Sequence, residues 1–213
     1  MTFAKGRGVR VEIASTYGTA KTVSEVTAAN PPVATSTAHG LLAKSAGYFA
    51  TAAGMPQLVG QACRLSAVST NDFTLEDIDS TSYGDFTSGT FVPATAWVTL
   101  ASAISIDKAG GGATQEETTV LLDEKQQFEA GLLAAETVTI NLRTLTISDA
   151  ALALVRAAAK AGSYIMLRVT MKDGNVRLVR GQPGLPTESL NVGSIGTTSF
   201  NLTVQGYWTE GAA

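Results

Sequence analysis

Three runs in the last third of the chain alternate apolar and polar residues, and only one stretch between them breaks that period. Val138, Ile140 and Leu142 share one face of TVTINLRTLTI, read as a strand over residues 137–147. Ile165, Leu167 and Val169 share a face before KDGN at residues 172–175, and Val176 and Leu178 continue after it. Phe200, Leu202 and Val204 do the same in TTSFNLTVQGYW, a strand expected to end at Tyr207 and Trp208. A spacing of two places such side chains on one side of a pleated strand. Between the first two runs, Ala151, Leu154, Val155 and Ala158 recur at helical spacing. Ser148 is read as the helix N-cap, with Asp149 in the first turn and Gly162 as the stop. Asp173-Gly174 predicts a two-residue hairpin turn. A strand, one short helix, a hairpin and a closing strand offer sheet edges and faces but no chemistry.

Upstream, Val9, Val11 and Ile13 mark another half-buried strand. From about Thr22 to Val92 the chain is rich in Thr, Ser, Ala and Gly, with short apolar pairs and frequent turns. That segment reads as several short strands in a small β module. The larger pattern resumes near Ala96. Lys108 to Gln115 (KAGGGATQ) reads as a flexible loop, because Gly110, Gly111 and Gly112 in a row are entropically costly to hold in a helix or strand.

Several function classes lose support on composition. Cys63 is the only cysteine and His39 the only histidine, so an intrachain disulfide and a Cys/His zinc site both lack members. The net charge of -3 gives no bulk affinity for nucleic acid. Its distribution is uneven: residues 91–136 hold seven acids and two bases, whereas residues 137–213 hold four acids and seven bases. No apolar run reaches the ~18–20 residues of a membrane helix, and the N-terminus lacks a signal-peptide apolar stretch. Maturation in a reducing cytoplasm is expected, with no membrane partner.

His39, in a turn-like HGL, is read as a local hydrogen-bonding residue rather than a catalyst, and Cys63, in an apolar alternation, as core. Asp72, Glu76, Asp77, Asp79 and Asp85 could supply oxygens to calcium, but their spacing matches no EF-hand and strand alternation would divide them between faces. The three glycines at 110–112 lack the Gly-Lys-Ser/Thr of a phosphate loop. No catalytic residue, metal or cofactor is expected.

Residues 1–22 and 93–213 resemble the major tail tube proteins of long-tailed bacteriophages. The shared order is an N-terminal strand, a long acidic loop, a strand like TVTINL, one helix, a DG hairpin and a last strand like SFNLTVQGYW. The resemblance implies a β-sandwich or barrel with one flanking helix. It implies six-copy rings that stack into a tube conducting DNA at ejection, in a virion tail assembled in the host cytoplasm. Tape-measure, tail terminator and baseplate or tip proteins would be its partners, and double-stranded DNA would pass through without specific binding. Gly110, Gly111, Gly112, Gln115, Glu116 and Glu117 would then belong to an inter-ring loop spanning 108–128. Glu116, Glu117, Asp123, Glu124 and Glu129 would be candidates for the lumen, where they would repel DNA phosphate.

Residues 23–92 resemble a different unit, the small β-barrel module beside the first catalytic-cysteine half-domain of ubiquitin-activating enzymes. Matching positions include Asn30, Pro31, His39, Gly40, Phe73 and Tyr83, while Val59 stands where that module has Asn. The resemblance implies an inserted barrel on the outer surface and no ubiquitin chemistry. Two alternatives stay open. One is the inner tube of a contractile tail or secretion system. The other is a glycan- or cell-surface-binding module using Tyr83, Phe86 and Trp97.

Overall fold

The computed structural model describes residues 8–121, 124–144 and 149–212. The chain opens with β1 (Arg10–Tyr17), β2 (Lys21–Val23), β3 (Glu25–Val26), β4 (Val33–Thr35) and β5 (Ala46–Ala53). A 3-10 turn at Pro56–Leu58 leads to β6 (Ala62–Ser66) and β7 (Asp72–Leu75). Then come β8 (Ser88–Thr99), β9 (Ala103–Ala109), β10 (Ala113–Glu117), β11 (Phe128–Leu133) and β12 (Thr137–Arg143). The single helix among the described residues, α1 (Ala150–Ala161), precedes β13 (Ile165–Thr170), β14 (Val176–Pro183), β15 (Thr187–Ser189) and β16 (Thr197–Gly211). The fold is mainly β with one helix.

One hydrogen-bonded path runs β3-β4-β7-β6-β5-β8-β1-β13-β14-β16-β12-β9, with β15 beside β16 and β2 beside β8. The alternating residues of the last third build its main core. Val11, Ile13, Val138, Ile140, Leu142, Leu167, Val169, Val179, Phe200 and Leu202 are buried in one cluster with Ala151 and Val155 of α1. Leu152 and Ala158 complete the helix stripe, so Leu152 takes the place expected of Leu154. The helix is capped by Asp149, whose carboxylate accepts from the Ala151 and Leu152 amides, and it ends at Gly162 in the left-handed region. Ser148, the expected cap, and Ile147, the expected strand end, lie outside the described residues.

A second cluster gathers Val23, Phe49, Leu58, Cys63, Leu65, Phe73, Leu75 and Phe91. The boundary expected between residues 92 and 93 falls inside β8, a continuous 12-residue strand that pairs with both β5 and β1. Two turns differ from expectation. The β13–β14 connection closes over residues 172–174, with the Met171 amide donating to the Asn175 carbonyl and Gly174 at φ +88. The extra residue is the left-handed glycine that a three-residue hairpin uses to restore strand twist. Strand β16 does not stop at Trp208 but continues to Gly211 past an irregularity opposite β14.

That irregularity lets the strand path close on itself. Gly206 sits at φ +76, and the Tyr207 backbone leaves the β14 ladder. The buried side-chain amide of Gln61 takes over as a substitute strand: its Nε2 donates to the Tyr207 carbonyl at 2.8 Å, and its Oε1 accepts from the Tyr207 amide at 2.7 Å. Thr209 Oγ1 donates to the Ala62 carbonyl at 2.9 Å, and the Glu210 amide donates to Asp77 at 2.7 Å. A Cβ on Gly206 would meet Gln61 Oε1 at 2.1 Å, and one on Gly60 would meet the Gln205 amide carbon at 2.3 Å. Both glycines also take positive φ, +76 at Gly206 and +79 at Gly60, so a side chain at either position would strain the backbone and displace a glutamine amide of the closure.

Inside this closure lie small and aromatic residues: Ala14, Ala46, Ala62, Ala94 and Met166, with Tyr17, Tyr48 and Trp97 against them. The Arg180 guanidinium lies over the rings of Tyr48 and Tyr164 at 4.1 and 4.5 Å. Buried Glu12 accepts from Arg168 at 2.9 Å, and Arg168 stacks on Trp97 at 4.2 Å. Burial and the neighbouring Tyr48 hold the Tyr17 phenol pKa up at about 12.

Candidate assembly interface

Strands β10 and β11 pair with each other in a two-stranded sheet of their own, where the glycines had suggested a loop over 108–115. Lys108 and Ala109 finish β9, which pairs with β12. Gly110 and Gly111 take φ +92 and +80 and turn the chain, and a Cβ on Gly110 would lie 2.6 Å from the Ala135 carbonyl oxygen. Gly112 then leads into β10, which pairs only with β11 among the described residues. Three glycines in a row give backbone freedom, and here that freedom serves a tight turn between two strands.

Cross-strand register divides the hairpin into two faces. Glu116 stands directly opposite Glu129. Like charges in that relation destabilise a sheet. The other face pairs Ala113 with Leu133, Gln115 with Ala130 and Glu117 with Phe128. Every residue of β10 and all but Gly131 of β11 are exposed, Leu132 to 86 %. Gln115, Glu116, Glu117, Glu124 and Glu129 thus share one exposed hairpin, which follows the turn at Gly110, Gly111 and Gly112. Asp123 lies outside the described residues. An isolated two-stranded hairpin is at best marginally stable in water, and an exposed amphipathic one lacks the apolar contact that would hold it.

A groove of about 480 Å³ opens beside β9. Val9, Val11, Ile104, Ile106, Met171 and Trp208 form its apolar lining, and Lys108, Arg177 and Glu210 border it. β9 ends the strand path, so its outer edge is unpaired among the described residues. The Trp208 Nε1–H is buried with no hydrogen-bond partner there. Lys108 pairs with Glu136 at 2.8 Å and Arg177 with Glu210 at 2.8 Å. A third unpartnered area is the turn after β15, where Leu190, Val192 and Ile195 are exposed. None of these apolar surfaces was legible as a site, because the same alternation that marks a core strand also marks a face covered by another molecule.

The residues that invited a chemical reading have structural roles. His39 Nδ1 accepts from the Leu41 amide at 2.9 Å, the local bond expected, and its ring meets Phe73 edge-on. Cys63 is fully buried, and burial pushes its thiol pKa well up, away from the reactive thiolate. Asp72 accepts from Thr35, Glu76 pairs with Arg64, Asp77 takes the Glu210 amide, and Asp79 binds Thr81 and Asn30. Those hydrogen bonds, Thr81's first, hold the Asp79 carboxyl below its usual range. Among the described residues no three His, Cys, Asp or Glu side chains converge as metal ligands. Tyr83 and Phe86 pack on one core cluster and Trp97 on another, so the three do not make one binding surface.

The family model for phage tail tube protein, TTP, matches residues 53–213, from the end of β5 through the hairpin, the groove strand β9, the helix and β16. No curated protein matches the chain. The match takes in most of the molecule and all of the hairpin, and the chain belongs to the phage tail tube protein family, structural rather than catalytic proteins of the virion tail.

Proposed function

We propose that this chain is the repeating subunit of a phage tail tube, with copies closing into rings of six in keeping with the family resemblance, and rings stacking around a channel for DNA. The observation that carries this reading is the β10–β11 hairpin, exposed on both faces and paired with nothing else among the described residues. Phe128, Leu132 and Leu133 each leave half or more of their surface exposed, and covering it against a neighbouring copy would add apolar burial at about 25 cal/mol per Å². The hairpin serves as the inter-ring element, swung out on Gly110 to Gly112. Ring closure pairs edges such as that of β9, which are aggregation liabilities in a free monomer.

Glu116, Glu124 and Glu129, with Glu117 and Asp123 in the same acidic stretch, face the lumen and keep DNA from sticking. Residues 23–92 form a small module inserted in the tube domain and lie outside the tube, where a unit of that size does not block DNA. Assembly takes place in the host cytoplasm, with tape-measure, terminator and baseplate or tip proteins setting length and ends. Negative-stain electron microscopy across a concentration series tests the reading. Rings or tubes with a central hole are expected, and a chain that stays monomeric throughout would overturn it. Replacing Glu116, Glu124 and Glu129 by Lys should leave assembly intact and impair ejection; normal ejection by such tubes would remove the lumen assignment.

A further inference from the structure

We infer that Glu136, paired with Lys108, is a positioning residue: it sets the angle at which the β10–β11 hairpin leaves the β9–β12 ladder. The angle is a property of the single chain, and its use in assembly rests on the tube reading.

The two ladders are consecutive stretches of one long hairpin. β9 and β12 pair as far as Ala109 opposite Thr137, and β10 and β11 pair from Ala113 opposite Leu133. Between them the Ala134 amide donates to the Gly112 carbonyl at 2.9 Å. Gly110 and Gly111, both at positive φ, face Ala135 and Glu136 across this break. Glycine allows many backbone angles at little cost, so these two residues do not by themselves select one direction for the strands that follow.

Glu136 is placed to select it. Its backbone belongs to the sheet, where its carbonyl accepts from the Val204 amide at 2.9 Å. Its carboxylate lies against the turn: a Cβ on Gly111 would meet Oε1 at 2.9 Å and Cγ at 3.2 Å. Oε1 pairs with Lys108 Nζ at 2.8 Å, and that ammonium also stands 6.0 Å from the centre of the Trp208 ring. Oε2 is buried with no hydrogen-bond partner among the described residues, and the whole side chain is only 16 % exposed.

That burial separates the pair from an ordinary surface salt bridge, which contributes little. Removing Lys108 would leave a covered carboxylate without its counter-charge, a far larger penalty than the pair's own net worth. The carboxylate regains water by swinging outward, and Gly111, packed on it, moves as it moves. A change of φ or ψ at one glycine of the turn is carried along both strands as a change of direction. Lys108 therefore acts on the hairpin through Glu136.

The test puts spin labels on β11 and β16 of the full chain, at Ala130→Cys and Thr203→Cys, two exposed positions. Cys63 is buried and stays unlabelled. Double electron–electron resonance on dilute monomer should give one narrow distance. Lys108→Met and Glu136→Gln should each at least double its width with circular dichroism unchanged, whereas Lys108→Arg, which keeps the charge, should leave it narrow. An unaltered width in Lys108→Met and Glu136→Gln would overturn the inference. So would equal broadening by Lys108→Arg and Lys108→Met, which would assign the effect to packing instead of charge. Under conditions that give rings or tubes, Lys108→Met should raise the concentration needed for assembly about threefold or more, because only a fraction of hairpins then stands at the productive angle. Broadened distances with unchanged assembly would uphold the role of Glu136 and remove the hairpin from the assembly contact.

Discussion

The β6–β16 closure and the β10–β11 hairpin solve the same problem in opposite ways. At both, strand edges leave backbone groups outside a ladder. At the closure, the strand finds intramolecular partners: Gln61 serves both polar groups of Tyr207, Thr209 reaches Ala62, and Asp77 takes the Glu210 amide. At the hairpin, the strands bond only to each other and the apolar face is left to solvent. The closure is therefore complete within the monomer, and the hairpin is where the monomer is incomplete. Damage to the first should unfold the chain, and damage to the second should leave a folded chain that no longer assembles.

The sharpest break in that contrast would come from Gly206→Ala. Its Cβ meets Gln61 Oε1 at 2.1 Å in a left-handed backbone, so a loss of about 4 kcal/mol is expected in urea unfolding of the monomer. A loss below about 1 kcal/mol would mean that β6 and β16 separate at little cost. Alkaline pH probes the same enclosure from inside. The Tyr17 pKa is raised from 10.0 to about 12, so its contribution is fully present below pH 10 and is lost as pH rises toward 12. The loss amounts to about 2–3 kcal/mol. Cys63, also raised by burial, adds to the alkaline slope. Tyr17→Phe should flatten the stability profile between pH 10 and 12 while leaving neutral-pH stability nearly unchanged; an unaltered slope would show that the enclosure opens before the phenol ionises.

Gln61→Ala comes next, at about 2 kcal/mol, because it strips the Tyr207 amide and carbonyl of their partner at once. Tyr207 itself is exposed, so water takes back part of that loss. The smallest effect on folding belongs to the hairpin. Phe128→Ser with Leu133→Ser should move monomer stability by less than about 0.5 kcal/mol, yet abolish rings in sedimentation velocity. A large loss of stability would instead place the hairpin within the fold of the monomer.

How much of this was legible in the sequence varies with the physics of each element. Alternation identified the strands of the main core, because period-two burial on one face leaves a direct mark on composition. The helix was legible from its stripe and its closing glycine, although the cap moved from Ser148 to Asp149, two acceptors that serve equally well. The KAGGGATQ stretch misled because glycine reports only backbone freedom, and freedom serves a hinge as well as a loop. Trp208 was taken as a strand end because nothing in QGYWTEG announces that Gly206 will turn left-handed and let the strand go on.

What the sequence determined by itself is local and periodic: a mainly β chain, one helix, a cysteine and a histidine in no catalytic company, and acids gathered in the stretch from 116 to 129. What only the tertiary structure decided is which distant segments meet. Gln61 and Tyr207 lie 146 positions apart, and their bond depends on one left-handed glycine with no room for a Cβ. Groove and hairpin were decided the same way, since an apolar side chain counts as core or as interface only once the fold has settled what covers it.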